Sequence, residues 1–97
     1  MDVHFDLNGE SFVRDAEKAK KNLANHGVRF EEAATVFGDP LFVLVQASRN
    51  GEAREAAVGF DASARLLYVV HIEVEGEFIR IISARRAEPS EEQHHAF

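Results

Sequence analysis

At the start of the chain Val3, Phe5 and Leu7 alternate with polar positions, and Asn8-Gly9 then precedes Phe12-Val13. A period of two interrupted by Asn-Gly predicts a tight β-hairpin, because both turn residues must take positive φ and this pair does so at least cost. Behind Asp15, an N-cap residue type, Ala16, Ala19, Leu23 and Ala24 recur at helical spacing, and His26-Gly27 supplies a basic last turn and a glycine stop. This predicts a helix over 15–26 that carries those residues on one face. Phe30, Ala33, Ala34 and Phe37, behind Glu31-Glu32, predict a second short helix that Asp39-Pro40 closes.

From Leu41 the period returns to two or to unbroken apolar runs, predicting strands over 41–46, 54–61, 65–74 and 78–84. The connections between them are short and polar, as an antiparallel meander requires. Pro89-Ser90 ahead of Glu91-Glu92 predicts a brief C-terminal helix ending near Phe97. The expected fold is therefore α+β: an N-terminal hairpin, two helices packed on an antiparallel β-sheet and a short C-terminal helix, in a single domain over 1–97.

Composition narrows the chemistry. At 97 residues and 45% hydrophobic the chain has enough apolar surface for one core. It contains no cysteine, which excludes disulfides and thiolate metal sites. The first residues lack the basic start and apolar run of a signal peptide, and no apolar stretch reaches membrane-spanning length, so a cytoplasmic protein is expected. A net charge of -6 argues against binding polyanions over the whole surface. The basic residues are nonetheless grouped, leaving room for a local basic face.

The predicted last strand threads Arg80 and Arg85 through apolar residues, with Arg86 directly after. A guanidinium drawn partly into a sheet needs an acceptor, so these residues mark either structural ion pairs, with Glu55 or Glu73 as partners, or a surface that holds phosphate. Strict alternation would send Arg80 and Arg85 to opposite faces. Arg54, at the start of another strand, has the chemistry to join them. His26 and His71 are the interior histidines available for proton transfer. Each also has a structural explanation, His26 on the last carbonyls of its helix and His71 in a same-face bond with Glu73. Glu91, His94 and His95 carry partial metal-ligand spacing, too few donors for a site, and no phosphate-binding glycine loop or nucleophile elbow is present. Lys18, Lys20 and Lys21 read as a solvated helix face, with RNA contact as the other reading.

Taken in order, Phe12-Val13, Asp15, Lys18-Ala19, Asn22, His26-Gly27-Val28, Phe30-Glu31-Glu32-Ala33, Val36-Phe37, Asp39-Pro40, Arg54, Gly59, Leu66-Leu67, Val69-Val70-His71 and the block from Arg80 to Arg85 resemble the BrnT family of type II toxin-antitoxin toxins. The resemblance implies a RelE-like ribonuclease fold and a metal-independent endoribonuclease without cofactors that cleaves mRNA, inhibiting translation and growth. It implies a BrnA-type antitoxin as partner, in a complex of two chains of each kind that reaches operator DNA only through the antitoxin. Carried over residue by residue, it makes Arg54, Arg80 and Arg85 ligands of the phosphate and its transition state. His26 becomes a candidate for proton transfer, and Lys18, Arg86 and His71 become substrate contacts.

The chain departs from the family pattern at Arg14, Asn25 and Gln46, where tryptophan, lysine and aspartate are usual. After Ala87 a basic tail becomes Glu88-Pro89-Ser90-Glu91-Glu92-Gln93-His94-His95, with only Glu91 in register. These departures motivate an alternative, an attenuated homologue acting mainly as an antitoxin-binding module and co-repressor.

Overall fold

The structure, a computed structural model, describes residues 1–95. It contains β1 (Asp2–Leu7), β2 (Glu10–Asp15), α1 (Ala16–His26), α2 (Phe30–Ala34), a 3-10 turn (Thr35–Gly38), β3 (Val43–Gln46), β4 (Glu55–Phe60), β5 (Leu66–Val74), β6 (Phe78–Arg86) and α3 (Pro89–Glu92). The architecture is α+β, as expected. Asn8 and Gly9 take φ of 51° and 82°, the left-handed pair that a two-residue hairpin requires. Asp15 caps α1 by accepting from the Lys18 amide, and Gly27, at φ 69°, ends the helix with its amide on the Leu23 carbonyl. No helix among the described residues is long and apolar enough to cross a membrane.

The sheet has six strands in the order β1-β2-β6-β5-β4-β3. Strands β3 to β6 form the expected meander, but β2 pairs with β6 in parallel, through Phe12 opposite Ile79 and Val13 opposite Arg80. The sheet is therefore mixed, correcting the antiparallel expectation. The two strands lie far apart in sequence, and local periodicity carries no information about which strands meet across such a crossover. The predicted end of the last helix, near Phe97, lies outside the described residues.

The core lies between the sheet and the helical segment. Val28, Phe30, Ala33, Ala34 and Val36 pack against Phe12, Ala57, Leu67, Val69, Ile79, Ile81 and Ala84. Helix α1 contributes less than its periodicity suggested. Leu23 is 41% exposed, and the helix's one buried residue is polar, Asn22. The Asn22 amide nitrogen donates to the carbonyls of Val28 (3.0 Å) and Ala84 (2.8 Å), and its oxygen accepts from the Ala84 amide (3.0 Å). One side chain thus takes the place of a neighbouring strand along β6, where the pairing with β2 has already ended. Turning Asn22 toward that edge rotates Leu23 outward, because adjacent helical residues point about 100° apart.

Gly59 faces the helical side of β4 so closely that an added Cβ would lie 2.9 Å from Phe42 Cβ and 3.0 Å from Val36 Cγ1. Gly59→Ala is expected to cost about 1–3 kcal/mol through overpacking, read as a lower urea midpoint at unchanged m-value.

Candidate functional site

The position of Arg80 and Arg85 rests on one irregularity in β6. His71 pairs with Ile81 while Val70 pairs with Ser83, so Ile82 is an extra residue, a β-bulge. An inserted residue reverses the alternation beyond it. Arg80 lies opposite Ile72 and Arg85 opposite Tyr68. Since Ile72 and Tyr68 share a face of β5, both arginines project to the side away from α1 and α2. This corrects the opposite-face expectation, which assumed an unbroken strand. The two β5 partners are four residues apart, about 13 Å at the rise of a strand.

Each arginine meets a carboxylate, though neither Glu55 nor Glu73. Arg80 makes a two-pronged contact with Asp2 of β1 (3.0 and 2.9 Å) and sits 5.9 Å from the centre of the Phe78 ring. Arg85 grips Glu91 of α3 with two bonds of 2.8 Å, donates to the Arg86 carbonyl (3.1 Å) and lies 4.5 Å over the Tyr68 ring. Hydrogen bonding to these arginines is the main cause that holds the Asp2 and Glu91 carboxyls below their ordinary values, and it raises both guanidinium groups further. The arginine side chains remain 31% exposed, so the pairs are accessible rather than sealed in the core.

The tail that supplies Glu91 is tied down again at His95. His95 Nε2 lies 2.8 Å from Asp39 Oδ2, and its ring stands edge-on to Phe60, 5.1 Å away. Burial opposes ionisation of Asp39, yet the amides of Phe60 and Leu41 together with His95 outweigh it and hold this carboxyl low. Because the Glu91 and Asp39 carboxyls are depressed by folding, their stabilisation is complete above their unfolded values near 4.5 and 3.8 and is lost as pH falls through the folded ones. Melting curves between pH 7 and 2 are expected to show a steep loss of stability on that acid limb, and Glu91→Gln should flatten part of it.

Arg54 sits just before β4, bonded to Glu52 at 2.7 Å. With Gln46, Ser48, Glu55, His71 and Glu73 it lines a cleft of about 370 Å³ at that end of the sheet. His71 is 1% exposed and on the helical side, opposite Ile81, so the sheet separates it from Arg80 and Arg85. Its Nδ1 lies 3.0 Å from the Val69 carbonyl, in place of the expected bond to Glu73. A carbonyl only accepts, so Nδ1 carries the proton and Nε2 of the neutral ring is an acceptor. Lys18 and His26 are exposed on α1, Arg86 is exposed at the end of β6, and among the described residues none of the three is in an ion pair.

The described residues contain no group of three or more His, Asp or Glu side chains that could hold a metal ion. Glu91 and His95, two of the residues with metal-ligand spacing, are instead joined to Arg85 and Asp39. Periodicity did not single out Asp2, Tyr68, Asn22 or Asp39, which position the arginines and the tail. For Asp39 the only sequence signal was its place before Pro40, which marked an end rather than a junction.

No curated protein matches the chain. A protein-family model described as the ribonuclease toxin, BrnT, of type II toxin-antitoxin systems matches residues 15–91. That segment holds Arg54, Arg80, Arg85 and Glu91, whereas Asp2 lies before it. The match extends over most of the chain, which therefore belongs to the BrnT family of ribonuclease toxins of type II toxin-antitoxin systems.

Proposed function

We propose that this chain is an endoribonuclease that cleaves mRNA, and so slows translation and growth, until a BrnA-type antitoxin binds it. The observation that carries this reading is the bulge at Ile82, which delivers Arg80 and Arg85 to one accessible face beside Tyr68. Cleavage of RNA by its own 2'-hydroxyl needs no metal. The hydroxyl attacks the adjacent phosphorus, the 5'-oxygen leaves, and negative charge grows on the phosphate oxygens in between. Two guanidinium groups already fixed on the sheet can stabilise that charge without changing protonation state. The Tyr68 ring offers a surface on which a base of single-stranded RNA can stack. Arg86, exposed at the end of β6, extends the basic track, whereas Lys18 and His26 lie on α1 and Arg54 is bonded to Glu52, so these three stand apart from the pair. His71, enclosed on the other side of the sheet, belongs to the Arg54 cleft.

The carboxylates on Arg80 and Arg85 favour a second reading, an attenuated toxin whose main role is to bind the antitoxin and assist repression. RNA must displace Asp2 and Glu91 before it can use either arginine. Cleavage of a defined mRNA by purified, antitoxin-free protein separates the two. The first reading expects cleavage that Arg80→Ala abolishes while folding and antitoxin binding persist. Absence of cleavage together with absence of growth inhibition on expression would leave only the second.

A further inference from the structure

On the helical side of the sheet the covering segments stop short of the end carrying Glu55 and Glu73, leaving two adjoining cavities that share His71 and Glu73 as walls. The smaller, about 200 Å³, has a floor of Phe37, Phe42, Leu44 and Ile79 with Glu10 and Glu73 at its rim. Leu44, on strand β3 at the edge of the sheet, is 46% exposed there. The larger continues past His71 to Glu55 and to Arg54, whose guanidinium is held by Glu52. Among the described residues Glu10, Glu55 and Glu73 form no ion pair, unlike the carboxylates on the arginine face. Between them lies the buried His71 ring, whose Nε2 has no hydrogen-bond partner among the described residues and offers an acceptor to the groove.

We propose that this groove receives a cationic segment of the antitoxin, with an apolar side chain seated on Phe37, Phe42 and Leu44 and a neighbouring lysine or arginine held by Glu55 and Glu73 and donating to His71 Nε2. The proposal rests on the reading that an antitoxin binds this chain. The charges decide the class of occupant: Arg54, the one cation of the groove lining among the described residues, is already neutralised by Glu52, so the unpaired Glu10, Glu55 and Glu73 around the apolar floor repel an RNA phosphate and attract a basic polypeptide. Since the groove and the arginine face lie on opposite sides of the sheet, the antitoxin would be anchored away from the RNA surface. A second copy of this chain is the competing occupant, because α1 exposes Lys20, Lys21 and Leu23. Such a contact would be head-to-tail and would give open chains rather than a closed pair unless its rotation happened to close.

The test is titration calorimetry of the full-length antitoxin against the parent chain, Glu55→Lys/Glu73→Lys and the milder Glu55→Gln/Glu73→Gln, with melting curves to establish folding. Affinity should fall at least tenfold with lysine and less with glutamine, and the salt dependence of binding should shrink. Parent affinity retained within twofold by both folded variants overturns the proposal, as does a parent that binds no antitoxin. Sedimentation showing self-association of the parent that the lysine variant abolishes assigns the groove to a second copy and also overturns it. RNA cleavage by the antitoxin-free variants should match the parent within twofold. If the parent cleaves no RNA, the nuclease reading fails while the binding comparison still decides the groove.

Discussion

Arg85→Ala is expected to lower RNA cleavage by about 100-fold or more, equivalent to roughly 2.7 kcal/mol of lost transition-state stabilisation. Arg85 has the most complete setting of the arginines, with the Tyr68 ring beneath it, the Arg86 carbonyl beside it and a two-pronged carboxylate in front. Glu91 occupies the guanidinium edge with the same planar fork that a phosphate would use. Removing Arg85 also unties the tail from β6, so the kinetic loss has to be separated from a loss of folding. Arg85→Lys does so: it keeps the charge, gives up the fork and is expected to remain at least tenfold impaired. Single-turnover cleavage of a labelled RNA, with a melting curve for each variant, checks both. Parental cleavage by Arg85→Ala would remove this residue from the site and with it the main support for the nuclease reading.

The largest expected effect on stability comes from a residue with no role in the chemistry. Asn22→Ala removes three hydrogen bonds at once and leaves the Val28 carbonyl and both backbone groups of Ala84 without them. Stranding such groups at a site that is 6% exposed should cost about 3 kcal/mol, and at roughly 4–8 °C per kcal/mol in a domain of this size the melting temperature should fall by about 12–24 °C. Asn22→Asp should be no better, because it keeps the acceptor for the Ala84 amide but sets a carboxylate against two carbonyl oxygens. A melting temperature within a few degrees of the parent for either variant would show that α1 is held by packing alone. Ala84 immediately precedes Arg85, so the same variants are also expected to weaken cleavage.

Local elements were legible because their signals are local. Asn8-Gly9 specified its turn, Asp15 and Gly27 bounded α1, and the apolar runs placed four strands in order. The second helix was legible in position but not in kind, since Thr35 to Gly38 tighten into a 3-10 turn. Leu23 misled the reading of α1 because an apolar residue at helical spacing is the usual inward position. There, a polar residue with two donors and an acceptor held the more demanding contact. That Arg80 and Arg85 needed partners was readable from the cost of holding a guanidinium in a sheet. The partners were not, because Asp2 and Glu91 reach the arginines from opposite ends of the chain.

The sequence by itself determined the elements, the need of the strand arginines for anionic company and, through motifs spread over most of the chain, membership of a family of ribonuclease toxins. Only the tertiary structure decided the parallel seam between β2 and β6, the face on which the arginines lie and the carboxylates that meet them. Periodicity reports the conformation of neighbouring residues. It does not report which distant strands pair, and one extra residue at Ile82 reverses every face assigned beyond it. The alternation of β6 alone would divide its two arginines, whereas its register against β5 unites them.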